Sequence, residues 1–120
     1  MSKKILVVDD EKNILIAFKK ILEASGYLVD TAQNGTECLA KAAKNKYDVA
    51  LLDIQMPDML GTALLNKLKK IQPKIVQIMV TGDTDLKNAV DALNQGAKAY
   101  IRKPINKEQL IATIKENTVC

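Results

Sequence analysis

Three acids, one hydroxyl and one ammonium each follow a short apolar run, and these five residues could carry chemistry in this chain. The acids are Asp9, Asp10 and Asp53, and the other two residues are Thr81 and Lys103. Carboxylates about 4 Å apart repel by about 4 kcal/mol per pair at an effective dielectric constant near 20. A proton or a cation must relieve that repulsion, and oxygen ligands without histidine or cysteine favour Mg²⁺, Mn²⁺ or Ca²⁺.

A divalent cation beside an aspartate, a lysine and a threonine is suited to phosphoryl transfer. The cation and the lysine stabilise charge on the transferring oxygens, and a carboxylate can itself be the nucleophile that forms an aspartyl phosphate. The chain contains no histidine, which excludes histidine bases, Ser-His-Asp and Cys-His pairs and a phosphohistidine carrier. Helix capping explains any one of the five residues, but their convergence favours a functional site.

Apolar runs alternate with stretches of helical periodicity, and this alternation predicts where the five residues meet. The predicted strands lie at 5–8, 28–32, 49–52, 75–80 and 98–102. The predicted helices lie at 12–24 and about 36–45, and around 60–71, 86–93 and 110–114. Strict alternation requires parallel strands, so we predict one three-layer α/β/α domain over residues 1–120. The carboxyl ends of parallel strands share one edge, where such sheets bind ligands.

Several helix ends and faces are also predictable. Asp10 or Glu11 is expected to cap the first helix, Gly96 to cap the fourth in a left-handed conformation, and Asn106 to cap the fifth. The second helix is expected to turn three apolar residues inward: Leu39, Ala42 and Ala43.

The composition describes an ordinary globular chain of 120 residues, 48% of them hydrophobic, with a net charge of +4. No apolar run approaches the roughly 20 residues that cross a membrane, so no membrane partner is expected. The lysines fall mostly in helical stretches, which indicates solvated faces rather than direct nucleic-acid binding. Cys38 is expected to be a small buried hydrophobe, and with Cys120 it makes too few cysteines for a disulfide scaffold. These features predict a cytoplasmic protein.

The motifs of this chain resemble the receiver domain of two-component response regulators. They are the run at 5–11, Asp53 with the Met-Pro-Asp at 56–58 and Gly61, the Thr-Gly at 81–82, and the run at 100–104. The resemblance spans the whole chain. It implies a flavodoxin-like fold whose five parallel strands lie in the order 2-1-3-4-5.

The resemblance also implies roles for the acids. Asp53 would accept a phosphoryl group from a sensor histidine kinase or a phosphotransfer protein. Asp10, Asp53 and the backbone carbonyl of Gln55 would bind Mg²⁺, which Mn²⁺ could replace, and Asp9 would act through a water. Lys103 would pair with the phosphoryl group. Catalysis would be limited to self-phosphotransfer and autodephosphorylation, so we do not expect an enzyme acting on other substrates.

A switch is implied by the same resemblance. Thr81 would hydrogen-bond the phosphoryl group and Tyr100 would be the switch residue, with a cis bond between Lys103 and Pro104. The fourth helix, fifth strand and fifth helix would form the output face for an effector domain or protein, and for a homodimer that forms on phosphorylation. The chain would be a stand-alone receiver or the receiver of a longer regulator.

Two departures from the family pattern lie outside the proposed site chemistry. Asp58 stands where the family often has glycine, and Leu60 where it often has aspartate. Gln55 and Asp83 lie where the family tunes hydrolysis of the phosphoryl group. Gly82 keeps the small residue that gives access to the site.

Two other classes compete with this interpretation. A phosphatase similar to the haloacid dehalogenase family would share the nucleophile, the Mg²⁺, the threonine and the lysine, but it needs a second acid where Gln55 stands. A dinucleotide-binding module needs a glycine-rich loop after the first strand, where Asp9 and Asp10 would instead repel a pyrophosphate.

Overall fold

Each apolar run of the sequence becomes a strand and each amphipathic stretch becomes a helix. The computed structural model describes residues 2–54, 56–82 and 86–118. The strands are β1 Lys4–Val8, β2 Leu28–Ala32, β3 Val49–Asp53, β4 Val76–Thr81 and β5 Ala99–Arg102. The helices are α1 Lys12–Ala24, α2 Gly35–Lys44, α3 Gly61–Ile71, α4 Leu86–Asn94 and α5 Lys107–Thr118.

The strands form one parallel sheet. Within the described residues it has five strands in the order β2-β1-β3-β4-β5, and every neighbouring pair is parallel. The predicted flavodoxin-like order 2-1-3-4-5, which places β2 at an edge, is therefore confirmed. β3 lies in the middle and is buried along its whole length, as continuous apolar strands covered on both faces are.

Helices cover both faces of the sheet. Alternate residues of each strand point to opposite faces, and this divides the core into two clusters. One cluster joins the sheet to α1 and α5 through Leu15, Phe18, Leu22, Leu110 and Ile114. The other joins it to α2, α3 and α4 through Cys38, Ala42, Leu64, Leu65, Leu68 and Ala92. The three-layer prediction is confirmed, and Cys38 is buried as expected.

Two of the predicted helix caps are confirmed. Gly96 has a φ of 116° after the end of α4, a conformation that glycine adopts without steric cost. The side chain of Asn106 accepts a hydrogen bond of 2.9 Å from the amide of Gln109 in α5.

The cap predicted for α1 is wrong. Glu11 occupies the cap position without a side-chain cap bond among the described residues, and the exposed carboxylate of Asp10 lies near those of Asp9 and Asp53. Instead, the Asp9 carboxylate accepts a hydrogen bond of 3.0 Å from the Glu11 amide. Asp9 directly follows β1 and lies two residues before Glu11, so its side chain reaches the start of α1.

The predicted inward face of α2 is partly wrong. Ala42 is buried and Leu39 packs against the core, but Ala43 is exposed. The buried residues of α2 are Gly35, Cys38 and Ala42, which lie three and four positions apart on one side of the helix. Ala43 lies about 100° around the helix from Ala42 and therefore outside that stripe. Two apolar residues that mark the ends of α3 in the sequence, Leu60 and Ile71, are also exposed.

The described helices include none with the length and apolarity that crossing a membrane would require.

Candidate functional site

The strand register brings the predicted site residues to one edge of the sheet. Asp9 directly follows β1, Asp53 ends β3, Thr81 ends β4 and Lys103 directly follows β5. The register pairs at that edge are Val8 with Leu52, Asp53 with Val80, and Thr81 with Arg102. Because these strands are parallel, their carboxyl ends open into the same crevice.

Three carboxylates meet in that crevice. One oxygen from each of Asp9, Asp10 and Asp53 lies within 4.8 Å of the others. Asp9 is 1% exposed and Asp53 8% exposed, while Asp10 faces solvent. Burial strengthens the mutual repulsion of such charges because little water screens them, so the cluster favours a bound cation.

Lys103 is the cation that faces two of these acids. Its Nζ lies 2.8 Å from Oδ2 of Asp9 and 3.5 Å from Oδ2 of Asp53. Burial alone would lower the pKa of Lys103, but the hydrogen bond to Asp9 and the charges of Asp53 and Asp9 outweigh it and raise the pKa above 10.5. One ammonium against three carboxylates leaves the site short of positive charge.

Thr81 and Tyr100 lie on the same face of the sheet. Thr81 is buried at the end of β4, and its carbonyl accepts a 2.8 Å hydrogen bond from the Lys103 amide. Tyr100 pairs with Met79, two residues before Thr81, and is half-buried against the cluster under α2, α3 and α4. The Lys103–Pro104 peptide bond is cis.

The donor set fits a hard divalent cation. Its ligands are carboxylate oxygens, two buried and one open to solvent, and Mg²⁺ commonly takes one or two carboxylates together with carbonyls and waters. Gln55, whose carbonyl was predicted as a further ligand, and Asp83 lie outside the described residues.

Two residues near the site had no predicted role. The carboxylate of Asp58, five positions after Asp53, accepts hydrogen bonds from Gly35 and Thr36 at the start of α2. Gly61 packs its backbone against Ile54, where a Cβ would lie 2.7 Å from the Ile54 Cα. The first amides of any helix need acceptors from outside the helix, but this need does not say which residue supplies them, so the sequence carried no signal specific to Asp58.

Residues 5–115 match the family described as the response regulator receiver domain. The chain belongs to this family. Its receiver domain is 38% identical over 109 residues to the DNA-binding transcriptional regulator NtrC of Salmonella typhimurium, covering 91% of the chain and 23% of the regulator. The chain spans between about a quarter and a half of the first curated relatives it matches.

Solved receiver structures are similar over nearly the whole chain. A CheY-like response regulator receiver domain protein from Methanospirillum hungatei is 48% identical, with a TM-score of 0.92 over 97% of this chain and 93% of that one. A response regulator from Burkholderia pseudomallei, solved with a phosphorylated aspartic acid, a calcium ion and citrate, is 31% identical, with a TM-score of 0.90 over 98% of this chain and 69% of that one.

Membership in this family defines the class of activity. Receiver domains are signalling domains of two-component systems that interact with histidine kinases and effector domains, and the relatives of this chain are regulators. The family implies cation binding by an acidic pocket, and the receiver domain has such a pocket in Asp9, Asp10 and Asp53. The family match therefore favours the receiver interpretation over the phosphatase alternative.

Proposed function

We propose that Asp53 accepts a phosphoryl group from a sensor histidine kinase or a phosphotransfer protein, in a reaction that requires Mg²⁺ or Mn²⁺. The observation that carries this proposal is the buried Asp53 carboxylate in contact with Lys103 and within 4.8 Å of two further acids. The phosphorylated aspartic acid and calcium ion of the Burkholderia pseudomallei relative support it.

The reaction joins the phosphorus to a carboxylate oxygen. An oxygen of Asp53 attacks the phosphorus of the phosphohistidine, the P–N bond breaks, and the imidazole leaves with its electron pair. With acetyl phosphate, the bond that breaks is P–O and the leaving group is acetate. The product is an aspartyl phosphate, which water later hydrolyses, so the domain's own catalysis is limited to self-phosphotransfer and autodephosphorylation.

The residues around Asp53 have distinct parts in this step. Asp10, Asp53 and the carbonyl of Gln55 would hold the cation, with Asp9 acting through a water, and the bound cation would neutralise charge on the phosphoryl oxygens. Lys103 already lies 3.5 Å from Asp53, so its ammonium can follow the transferring oxygens without a large movement. Thr81, one residue beyond the partner of Asp53 in the register, can donate its hydroxyl to the same group.

The first prediction is that Asp53 is the sole phosphorylation site. Incubation with acetyl phosphate and Mg²⁺ should increase the intact mass by one phosphoryl group, and EDTA should abolish the increase. Asp53→Asn should show no adduct because it lacks the nucleophilic carboxylate. Asp48→Asn, which changes an acid at the opposite edge of the sheet, should be labelled like the wild type. A full adduct on Asp53→Asn would refute the assignment.

We further propose that phosphorylation shifts the domain between two conformations, and that the structural change is carried from Thr81 to Tyr100. The two residues share one face of adjacent strands, and that face lies under α4. The phosphoryl group offers Thr81 a new hydrogen bond and Lys103 a charge-assisted one, each worth about 0.5–3 kcal/mol. Inverting a 1:99 ratio of active to inactive conformations requires about 5.5 kcal/mol. The two bonds together supply an energy near or below this value, so the active conformation should already be detectable before phosphorylation.

The output of this switch would be the surface formed by α4, β5 and α5. Val90 is 51% exposed and Leu93 38% exposed on α4, and apolar groups of this kind suit contact with an effector domain or protein, or with a second phosphorylated copy. Direct nucleic-acid binding is not part of this proposal, and the cytoplasmic location stays a prediction.

The second prediction concerns the reach of the switch. Beryllofluoride with Mg²⁺ mimics the phosphoryl group, and its addition should shift amide NMR signals from Thr81 through α4 to Tyr100. Thr81→Ala should shorten that reach while leaving Mg²⁺ binding intact, because its hydroxyl bonds the phosphoryl group and not the cation. Shifts confined to the loops around Asp10 and Asp53 would rule out the switch.

A further inference from the structure

The first turn of α2 is capped in part by a residue that is distant in the sequence. A helix leaves its first four amides without partners inside the helix. The side chain of Asn34 accepts a hydrogen bond of 2.8 Å from the amide of Glu37. The carboxylate of Asp58, more than twenty residues later, accepts hydrogen bonds from the amides of Gly35 and Thr36, each at 2.9 Å, and from the Thr36 hydroxyl at 2.7 Å. One carboxylate therefore joins the start of α2 to the loop between β3 and α3.

This carboxylate stays ionised over the physiological pH range. The hydrogen bond from the Thr36 hydroxyl contributes most, followed by those from the Gly35 and Thr36 amides, and together they lower the pKa of Asp58 to about 2. The positive end of the α2 dipole also favours a negative charge at this point. The connection is thus a set of charge-assisted bonds, which are stronger than neutral ones.

The same loop is pressed against α2 and β3 by close packing. A Cβ at Gly35 would lie 2.6 Å from Cγ and Sδ of Met59, so the side chain next to Asp58 rests on the first residue of α2. At the far end of the loop, the Gly61 amide donates a 2.7 Å hydrogen bond to the Ile54 carbonyl. Residues 58–61 of this loop are therefore fixed to the start of α2 and to Ile54.

We propose that Asp58 is a positioning residue for the Asp53 site. It holds residues 58–61 of the β3–α3 loop against α2, so that Ile54, the residue after Asp53, is already placed when the cation binds. Asp58 itself touches neither the cation nor the phosphoryl group. This inference rests on the proposed function of Asp53, because the loop it positions is the one that follows the phosphoacceptor.

The test compares variants that separate the hydrogen bonds from the charge. Asp58→Ala removes both, Asp58→Asn removes the charge but keeps one acceptor oxygen, and Thr36→Val removes only the hydroxyl bond. Asp48→Ala is the matched control. The Asp48 carboxylate also accepts a hydrogen bond from a backbone amide, that of Lys4 at 2.8 Å, but at the amino ends of the strands, away from the site. Each variant is titrated with Mg²⁺ by amide NMR, and its thermal unfolding is measured in parallel.

We expect Asp58→Ala to weaken Mg²⁺ binding about tenfold, the lower end of the loss found when partners outside the ligand shell are removed. Asp58→Asn and Thr36→Val should fall between this variant and the wild type, and Asp48→Ala should bind like the wild type. In the metal-free protein, hydrogen exchange at the Gly61 amide should be faster in Asp58→Ala than in Asp48→Ala.

Three outcomes would overturn the positioning role. Asp58→Ala could lose thermal stability without a change in Mg²⁺ affinity, which would make Asp58 a helix cap only. Asp58→Asn could match Asp58→Ala, which would assign the effect to charge alone. The Gly61 amide could exchange equally in Asp58→Ala and Asp48→Ala. A wild-type domain that binds no Mg²⁺ would instead refute the proposed function of Asp53, and the positioning role would fall with it.

Discussion

Lys103→Met is expected to destabilise the metal-free domain, and Mg²⁺ is expected to restore most of the loss. Asp9 is almost fully buried and would lose its 2.8 Å ion pair. Leaving a buried charge without its partner costs about 3–5 kcal/mol. The exposed Asp10 carboxylate lies close to that of Asp9, so water can approach the unpaired Asp9 charge. We therefore expect a smaller loss of about 1–3 kcal/mol in the free energy of unfolding.

The pH of this experiment is set by the direction of the lysine's pKa shift. The pKa of Lys103 is raised above 10.5 in the folded state. The stabilisation by its charge is therefore fully present below the unfolded pKa, and it is lost only as the pH rises through the higher folded-state pKa. Measurements at pH 7 sample the whole effect.

Mg²⁺ should stabilise Lys103→Met more than the wild type, because the variant has no ammonium to offset the three carboxylates. Any ligand that binds only the folded state adds RT ln(1 + [L]/Kd), so a lower Kd raises the unfolding temperature further at the same Mg²⁺ concentration. Phosphorylation by acetyl phosphate should nevertheless slow about 10²-fold, the lower range for removing one preorganised donor to a developing charge.

Thermal unfolding with and without Mg²⁺, and the rate of adduct formation by mass spectrometry, measure these effects. Lys98→Met is the control, since it removes the same charge from an exposed site just before β5. It should change neither the Mg²⁺ dependence nor the rate. A Lys103→Met domain that is as stable as the wild type without Mg²⁺, or that is phosphorylated at the same rate, would contradict the role given to Lys103.

The sheet was predictable because its signal is local. A strand covered on both faces must be apolar throughout, and β3 is both apolar and fully buried. Once the strands are parallel, the residues after them must share an edge, which is why Asp9, Asp53 and Lys103 could be placed together from the sequence. The five-strand order came from the family resemblance and not from the pattern of residues.

The connection through Asp58 was not predictable, because it joins residues more than twenty positions apart. The resemblance treated Asp58 as a departure from a common glycine, and only the folded chain shows which helix start it meets. The periodicity of apolar residues also gave wrong predictions of burial at the ends of helices. Leu60 and Ile71 continue the apolar pattern of α3 but are exposed, one at the cap position before the helix and the other at its last residue.

Gly61→Ala is expected to disturb the fold and the site together, because its new Cβ would meet backbone atoms. It would lie 2.7 Å from the Ile54 Cα and 2.9 Å from the carbonyl oxygens of Asp53 and Ile54. Backbone atoms at the buried end of β3 cannot rotate away as a side chain can, so either α3 or the backbone of Asp53 and Ile54 must shift. Such overpacking typically costs about 1–3 kcal/mol.

The shift should also impair phosphorylation, because it starts at Asp53, the proposed nucleophile. Misplacing reacting groups by about 1 Å can cost about 10²-fold in rate. Mg²⁺ affinity should fall as well, since Asp53 is one of the three clustered carboxylates. Acetyl phosphate labelling and Mg²⁺ titration of Gly61→Ala measure both losses.

Gly82→Ala separates this steric effect from the general effect of replacing glycine. Gly82 also borders the site, but among the described residues the atoms within 4 Å of its new Cβ belong to the Lys103 side chain, at 3.8 Å or more. Neither glycine has a positive φ, so each substitution gains the same reduction in unfolded-chain entropy, worth about 0.4–1 kcal/mol. Gly82→Ala should therefore be neutral or slightly stabilising, and Gly61→Ala destabilising. If the two variants unfold at the same temperature and are labelled at the same rate, the close approach of α3 to the end of β3 does not position Asp53.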